Sequence, residues 1–253
     1  MIKPRRRSRS LAVPTVVALA VAACAGGSGN EQILVSAAAS LTDAFTEMEA
    51  AFEAGHHGAN VTLNLSGSSA LREQLLEGAP VDVFASANTT TMDQVVAAGR
   101  VVGAPTVFAH NTLQIAVPAG NPGNVMGLAD FADTALLIGL CAQAVPCGDL
   151  ARHVLDNAGV VPSVDTNEPD VRALLTKIEF GELDAGIVYV TDVAASNGAV
   201  VGIAIPDDVN VVADYPIAVL SNAANPVGAA AFVAFVMSAD GRAILGRHGF
   251  GTP

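Results

Sequence analysis

Residues 33–52 read ILVSAAASLTDAFTEMEAAF, and this stretch decides the fold. Ile33–Ala37 is a short apolar run of strand length, followed by small residues. Beyond the small residues, Leu41, Ala44, Phe45, Met48 and Phe52 fall at i, i+3, i+4, i+7 and i+11, which places all five on one helix face. Strand, small-residue loop and amphipathic helix together make one unit of an α/β fold.

The unit recurs along the chain. Val61–Leu65 alternates as a strand does and Ala70–Glu77 is helical; Val81–Ser86 is a strand, and Met92, Val95 and Val96 mark the next helix. Thr112–Val117 and Leu136–Leu140 read as strands, with a helix near Gly148–Asn157. Pro169–Phe180 is helical, with Val171, Leu174, Leu175 and Ile178 on one side. Ala185–Val190, Val200–Ile205 and Tyr215–Leu220 are strands, and two helices, Pro226–Met237 and Ala239–Arg247, close the chain. Such alternation predicts mostly parallel sheets flanked by helices. The 253 residues allow one large domain or two lobes of about 100 residues each. At 51% hydrophobic, with no Trp and much Ala, Val and Gly, the composition is that of a compact fold rather than a disordered chain.

Residues 1–23 read as a leader. Lys3, Arg5, Arg6, Arg7 and Arg9 precede an apolar stretch, Leu11–Ala23, that is shorter than the roughly 20 residues needed to span a bilayer. The stretch ends Val21-Ala22-Ala23-Cys24, which resembles the bacterial lipobox. That resemblance implies cleavage before Cys24, a lipid on its sulfur, a tether over 24–30, and a protein anchored at the outer face of the cell membrane. Five of the twelve basic residues lie in the leader, leaving seven against 24 acidic ones, a net charge of −17 for the mature chain. No basic surface of any size can be built from seven cations, which excludes nucleic acid as a partner. Cys141 and Cys147 remain; in an exported protein this spacing favours a small disulfide loop. The rival, a metal site, is poorly served by Cys-x5-Cys without a nearby His.

The chemistry sits at helix starts. Ser36–Ser40 precedes the first helix, with Asp43 three residues after Ser40 as in a capping box. Ser66–Ser69 precedes the second, Val145–Gly148 another, and Glu168-Pro169-Asp170-Val171 a fourth, with Pro169 suited to a first turn. The first four N–H groups of a helix lack internal partners, and the aligned peptide dipoles add roughly half a positive charge there. A helix start is therefore an anion site without Lys or Arg. Each such loop by itself is a cap; several converging on one cleft could replace the hydration shell of a dianion, at about 1.5–3 kcal/mol per charge-assisted bond.

ILVSAAASL at 33–41, LSGSSAL at 65–71, GAPVDVFASA at 78–87, PDVRALL at 169–175 and GIVYVTD at 186–192 resemble the periplasmic molybdate-binding proteins of ABC importers. The likeness covers about residues 31–252 and includes Tyr215-Pro216-Ile217-Ala218-Val219 and Gly249-Phe250. It implies a two-lobed type II periplasmic binding protein fold with lobe 1 over 31–109 plus 214–253, lobe 2 over 110–213, and two hinge crossings near His110 and Asp214. It also implies one oxyanion, molybdate or tungstate, held between the lobes by Ser40 and Ser68 (N–H and O–H), Cys147 and Val171 (N–H) and Tyr189 (O–H). Ser69 and Gly148 are the adjacent alternatives, and position 147 is commonly Ala in relatives. No cofactor is implied; the partners are an ABC importer permease and the membrane, and the chain is expected to act as a monomer.

Arg72 and Arg172, which flank two of the loops, are expected on the solvated surface, and Asp170 is expected to cap its helix. An enzyme reading fails on the absence of any G-x-S-x-G elbow around the many serines. The alternative cargo is sulfate, another oxyanion or a small organic acid, the last of which would commonly call for an Arg fork.

Overall fold

In the computed structural model, Met1 and residues 32–253 are described; the leader, the tether and Cys24 lie outside the described residues. The first half of the chain runs β1 (Gln32–Ala38), a 3-10 turn (Ala39–Leu41), α1 (Thr42–Gly55), β2 (Asn60–Ser66), α2 (Ser68–Leu76), β3 (Val83–Ala85) and α3 (Thr89–Ala97). A long strand follows, β4 (Thr106–Pro118), then β5 (Ile138–Cys141), α4 (Pro146–Asn157), β6 (Thr166–Glu168), α5 (Val171–Glu179) and β7 (Ala185–Tyr189). The chain ends with α6 (Val190–Ala195), β8 (Val200–Ala204), β9 (Val212–Val219), α7 (Pro226–Val236) and α8 (Ala239–Arg247).

The helix face read from 41–52 is the one that is buried: Leu41, Ala44, Phe45, Met48 and Phe52 are each at most 1% exposed. Phe45 packs against Phe108 of β4, and both Phe45 and Phe52 meet Phe232 of α7 edge-on. Burying side chains of this size stabilises by about 1.5–3 kcal/mol each, which fixes α1 against the sheet.

Strand order is β2-β1-β3-β9-β4-β7-β5-β6, with β8 also on β4. The parallel pairing expected from the alternation holds at both ends, in β1 with β2 and β3 and in β5 with β6 and β7. The strands through the middle are antiparallel. Along β4 the partner changes: residues 106–112 pair with β9, and 113–118 pair with β7 and β8. His110 stands opposite Asp214, and its Nδ1 lies 2.7 Å from the Asp214 carboxylate.

Two local expectations are corrected. The Ser40–Asp43 capping box does not form; the turn begins at Ala38 without a side-chain cap, and Asp43 instead pairs with Arg172. Arg172 is only part-exposed and is not simply solvated: it joins Asp43 of α1 and the fully buried Asp192, whose Oδ1 lies 3.4 Å from the guanidinium Nε. Arg72 lies against the α2–α3 surface, bonded to Gln94 and Glu73.

Candidate functional site

The four helix starts and the end of β7 meet at one place. Ser40, Ser68, Cys147, Val171 and Tyr189 all line a single cavity. Each arrives there for a local reason. Ser40 lies inside the 3-10 turn that joins β1 to α1. Ser68 is the first residue of α2, after Gly67. Cys147 follows Pro146, which opens α4. Val171 opens α5 behind Asp170, whose Oδ1 accepts the Ala173 N–H at 2.9 Å, so Asp170 caps as expected. First-turn N–H groups are those with no carbonyl partner inside their own helix, and these four point the positive ends of their segments at one cavity.

Side-chain bonding separates the adjacent alternatives. Ser68 Oγ accepts the Ala87 N–H at 3.1 Å, which leaves its own proton free to donate. The Ser69 hydroxyl is already engaged, donating to the Ala144 carbonyl on the far side of the cleft. The Gly148 N–H donates to the Val145 carbonyl at 2.9 Å. Gly148 serves close packing instead, since a Cβ there would lie 2.1 Å from the Ala142 carbonyl oxygen. Only glycine lets α4 start so close to the end of β5, and the disulfide between Cys141 and Cys147 joins the same two segments, with Cα atoms 5.7 Å apart.

Tyr189 is 1% exposed, and among the described residues its hydroxyl has no hydrogen-bond partner. A buried hydroxyl left unpaired costs about 1–3 kcal/mol. Burial, reinforced by the nearby Tyr215 and Asp192, pushes the phenol well above its ordinary value, so it keeps its proton and remains able to donate. Among the described residues no lysine or arginine lines the cavity, and no cluster of three or more His, Cys, Asp or Glu side chains is placed to hold a metal ion.

Several contributors were not found from the sequence. Gly67 lines the cavity, and a Cβ on it would lie 2.6 Å from the Pro169 carbonyl oxygen, so glycine is what lets the α2 loop meet the α5 loop across the cleft. Asp192 accepts the Tyr189 N–H at 3.1 Å and so fixes the backbone that carries the orphan hydroxyl. Tyr215 of β9 lies within 2.9 Å of Ser40 Oγ through its own hydroxyl. A glycine between two serines before a helix, as in SGSS, was the one available signal for Gly67; Asp192 and Tyr215 act through pairings that no spacing reveals.

Residues 33–251 match the model of the family described as bacterial extracellular solute-binding protein. The chain is 42% identical over 225 residues to the molybdate-binding protein ModA of Mycobacterium tuberculosis (strain H37Rv), covering 89% of this chain and 86% of that one. Among solved structures, the periplasmic molybdate-binding protein of Azotobacter vinelandii superposes with a TM-score of 0.78 at 18% identity, covering 87% of this chain and 99% of that one. The sulfate-binding protein SubI of Mycobacterium tuberculosis superposes with a TM-score of 0.75 at 17% identity, covering 87% and 86%. The shared architecture is the two-lobed type II periplasmic binding protein fold, and it carries more than one cargo. By the family model and by its identity to a curated relative over most of its length, the chain belongs to the bacterial extracellular solute-binding proteins.

Proposed function

We propose that the chain captures molybdate, and tungstate with it, in the cleft between its two halves and delivers it to an ABC importer. The observation that carries this reading is the buried Tyr189 hydroxyl, without an acceptor in the protein, facing a cavity ringed by helix starts. A cage of N–H and O–H donors answers a tetrahedral dianion, whose oxygens only accept. It gives a carboxylate ligand no guanidinium fork. The name and 42% identity of the mycobacterial relative support molybdate over sulfate within the shared fold. Charge-assisted bonds of about 1.5–3 kcal/mol each make a handful of donors enough for tight binding once desolvation is subtracted. The direct ligands in this reading are Ser40, Ser68, Cys147, Val171 and Tyr189.

The lobes are taken as 31–109 plus 214–253 and as 110–213. Supporting this division, β4 changes partner after residue 112, and His110 faces Asp214 on the two crossing strands. Each chain carries both halves of its cleft, which is consistent with work as a monomer. Export and lipid anchoring at Cys24 rest on the sequence of residues 1–24, and mass spectrometry of the mature N-terminus tests them. The role is capture and release rather than catalysis. Calorimetric titration of the purified protein with molybdate, tungstate, sulfate and phosphate tests the assignment: tight heats with the first two and weak or none with the others are expected. Binding of sulfate in preference to molybdate would replace the cargo, and no binding by any of the four would remove the oxyanion reading.

A further inference from the structure

Tyr215 is fully buried at the crossing of the two halves, on β9 opposite Ala109 of β4. The register of that pairing shifts between Val107 and Ala109, so Phe108 is the extra residue of a β-bulge; bulges re-aim neighbouring side chains. The Tyr215 ring is held edge-on by Phe108, Tyr189 and Phe250, with centroids 6.4, 5.9 and 5.4 Å away. Three aromatic rings around a fourth would accept phenylalanine equally well. The hydroxyl therefore needs its own reason, since burying it costs free energy unless it is bonded. Its bonded partner is Ser40 Oγ, 2.9 Å away, and Ser40 lines the oxyanion cavity.

Either oxygen in this pair could donate, and the ligand decides which. An oxyanion accepts only, so the Ser40 hydroxyl, beside the Ser40 N–H, can serve it only by giving its single proton to the ligand; the Ser40–Tyr215 bond must then be donated by Tyr215. The phenol can fill that role because burial, opposed in part by its bond to Ser40, raises its proton affinity above the ordinary value. Resting on the oxyanion reading above, we infer that Tyr215 is a positioning residue: its hydroxyl donates to Ser40 Oγ and turns the Ser40 proton into the cavity. The arrangement ties ligand capture to a strand that crosses between the two halves, because the group that orients a cage hydroxyl is carried on β9.

The test is a double-mutant cycle read by calorimetry with molybdate as the probe, using Tyr215→Phe, Ser40→Ala and the double variant. Tyr215→Phe keeps the ring and its three aromatic contacts, and thermal melts verify that each variant is folded. Losing the orienting bond should weaken binding about tenfold, the ordinary worth of one neutral hydrogen bond. Ser40→Ala, which removes the charge-assisted bond itself, should weaken it about 10- to 100-fold. The double variant should bind no worse than Ser40→Ala alone, because Tyr215 then has nothing to orient. Two results would overturn the inference alone: unchanged affinity in Tyr215→Phe, or a tenfold loss that persists in the Ser40→Ala background. Wild-type protein that binds no oxyanion would overturn the underlying reading and the inference with it.

Discussion

Replacing Tyr189 by Phe removes one oxygen and leaves the ring where it is, in an edge-on contact with Tyr215. In the unliganded protein that oxygen bonds to nothing among the described residues. Its removal therefore takes away no intramolecular bond and relieves an unpaired polar atom, so the ligand-free melting temperature should not fall. In the complex the same oxygen would donate to a dianion, a bond worth about 1.5–3 kcal/mol. The dissociation constant should rise about 10- to 150-fold. Calorimetry with molybdate measures this directly, and thermal melts supply the second half of the signature. At a fixed saturating ligand concentration, a 100-fold weaker complex forfeits about 2.7 kcal/mol of ligand-derived stabilisation. A variant that binds as tightly as wild type would take Tyr189 out of the site. A variant that melts lower without ligand would show that the hydroxyl has a partner inside the protein.

Other perturbations read other parts of the account. Gly67→Ala places a Cβ 2.6 Å from the Pro169 carbonyl oxygen; it should weaken molybdate binding by about tenfold or more, and equal affinity would show that the two loops need not meet. Reduction of the Cys141–Cys147 bridge releases a short loop and should cost about 2 kcal/mol of stability by urea titration, an effect absent in the Cys141→Ser, Cys147→Ser double variant.

Burial, opposed by Arg172 and the Tyr189 N–H and reinforced by Asp43 and Asp170, raises the Asp192 carboxyl to about 7 from 3.8. A folded-state value above the unfolded one contributes stability that is fully present below about pH 4 and is lost as the pH rises through 7, with about 4 kcal/mol as its upper bound. Asp192→Asn should flatten that part of the stability profile between pH 4 and 8, and an identical slope in wild type and variant would count against it.

The sequence made the β1–α1 unit legible because burial there follows helical period, and every residue of the expected face is in the core. The α4 helix was legible from Pro146 and its apolar stripe, and α5 from its stripe alone, since Pro169, expected in the first turn, lies ahead of the Asp170 cap. Other parts carried no such signal. β6, Thr166–Glu168, is three polar residues long and reads as a loop until β5 pairs with it. The first half of β4 hides its period behind the bulge at Phe108. Asp43 had a local partner by spacing, Ser40, and found a distant one, Arg172, because the folded chain brings α5 within reach of α1. The cavity residues were legible only as helix starts, each of which could have been an ordinary cap. Resemblance to a family selected among them, and the fold then put Ser40, Ser68, Cys147, Val171 and Tyr189 around one space.

The most direct measurement is a crystal structure of the protein grown with tungstate, whose anomalous scattering locates the metal without reference to the protein atoms. The account predicts one strong peak between the helix starts, with oxygens about 2.7–3.1 Å from the Ser40, Ser68, Cys147 and Val171 amides and from the Tyr189 hydroxyl. A peak elsewhere, or one in that cavity gripped chiefly by Arg172 or another cation, would contradict it.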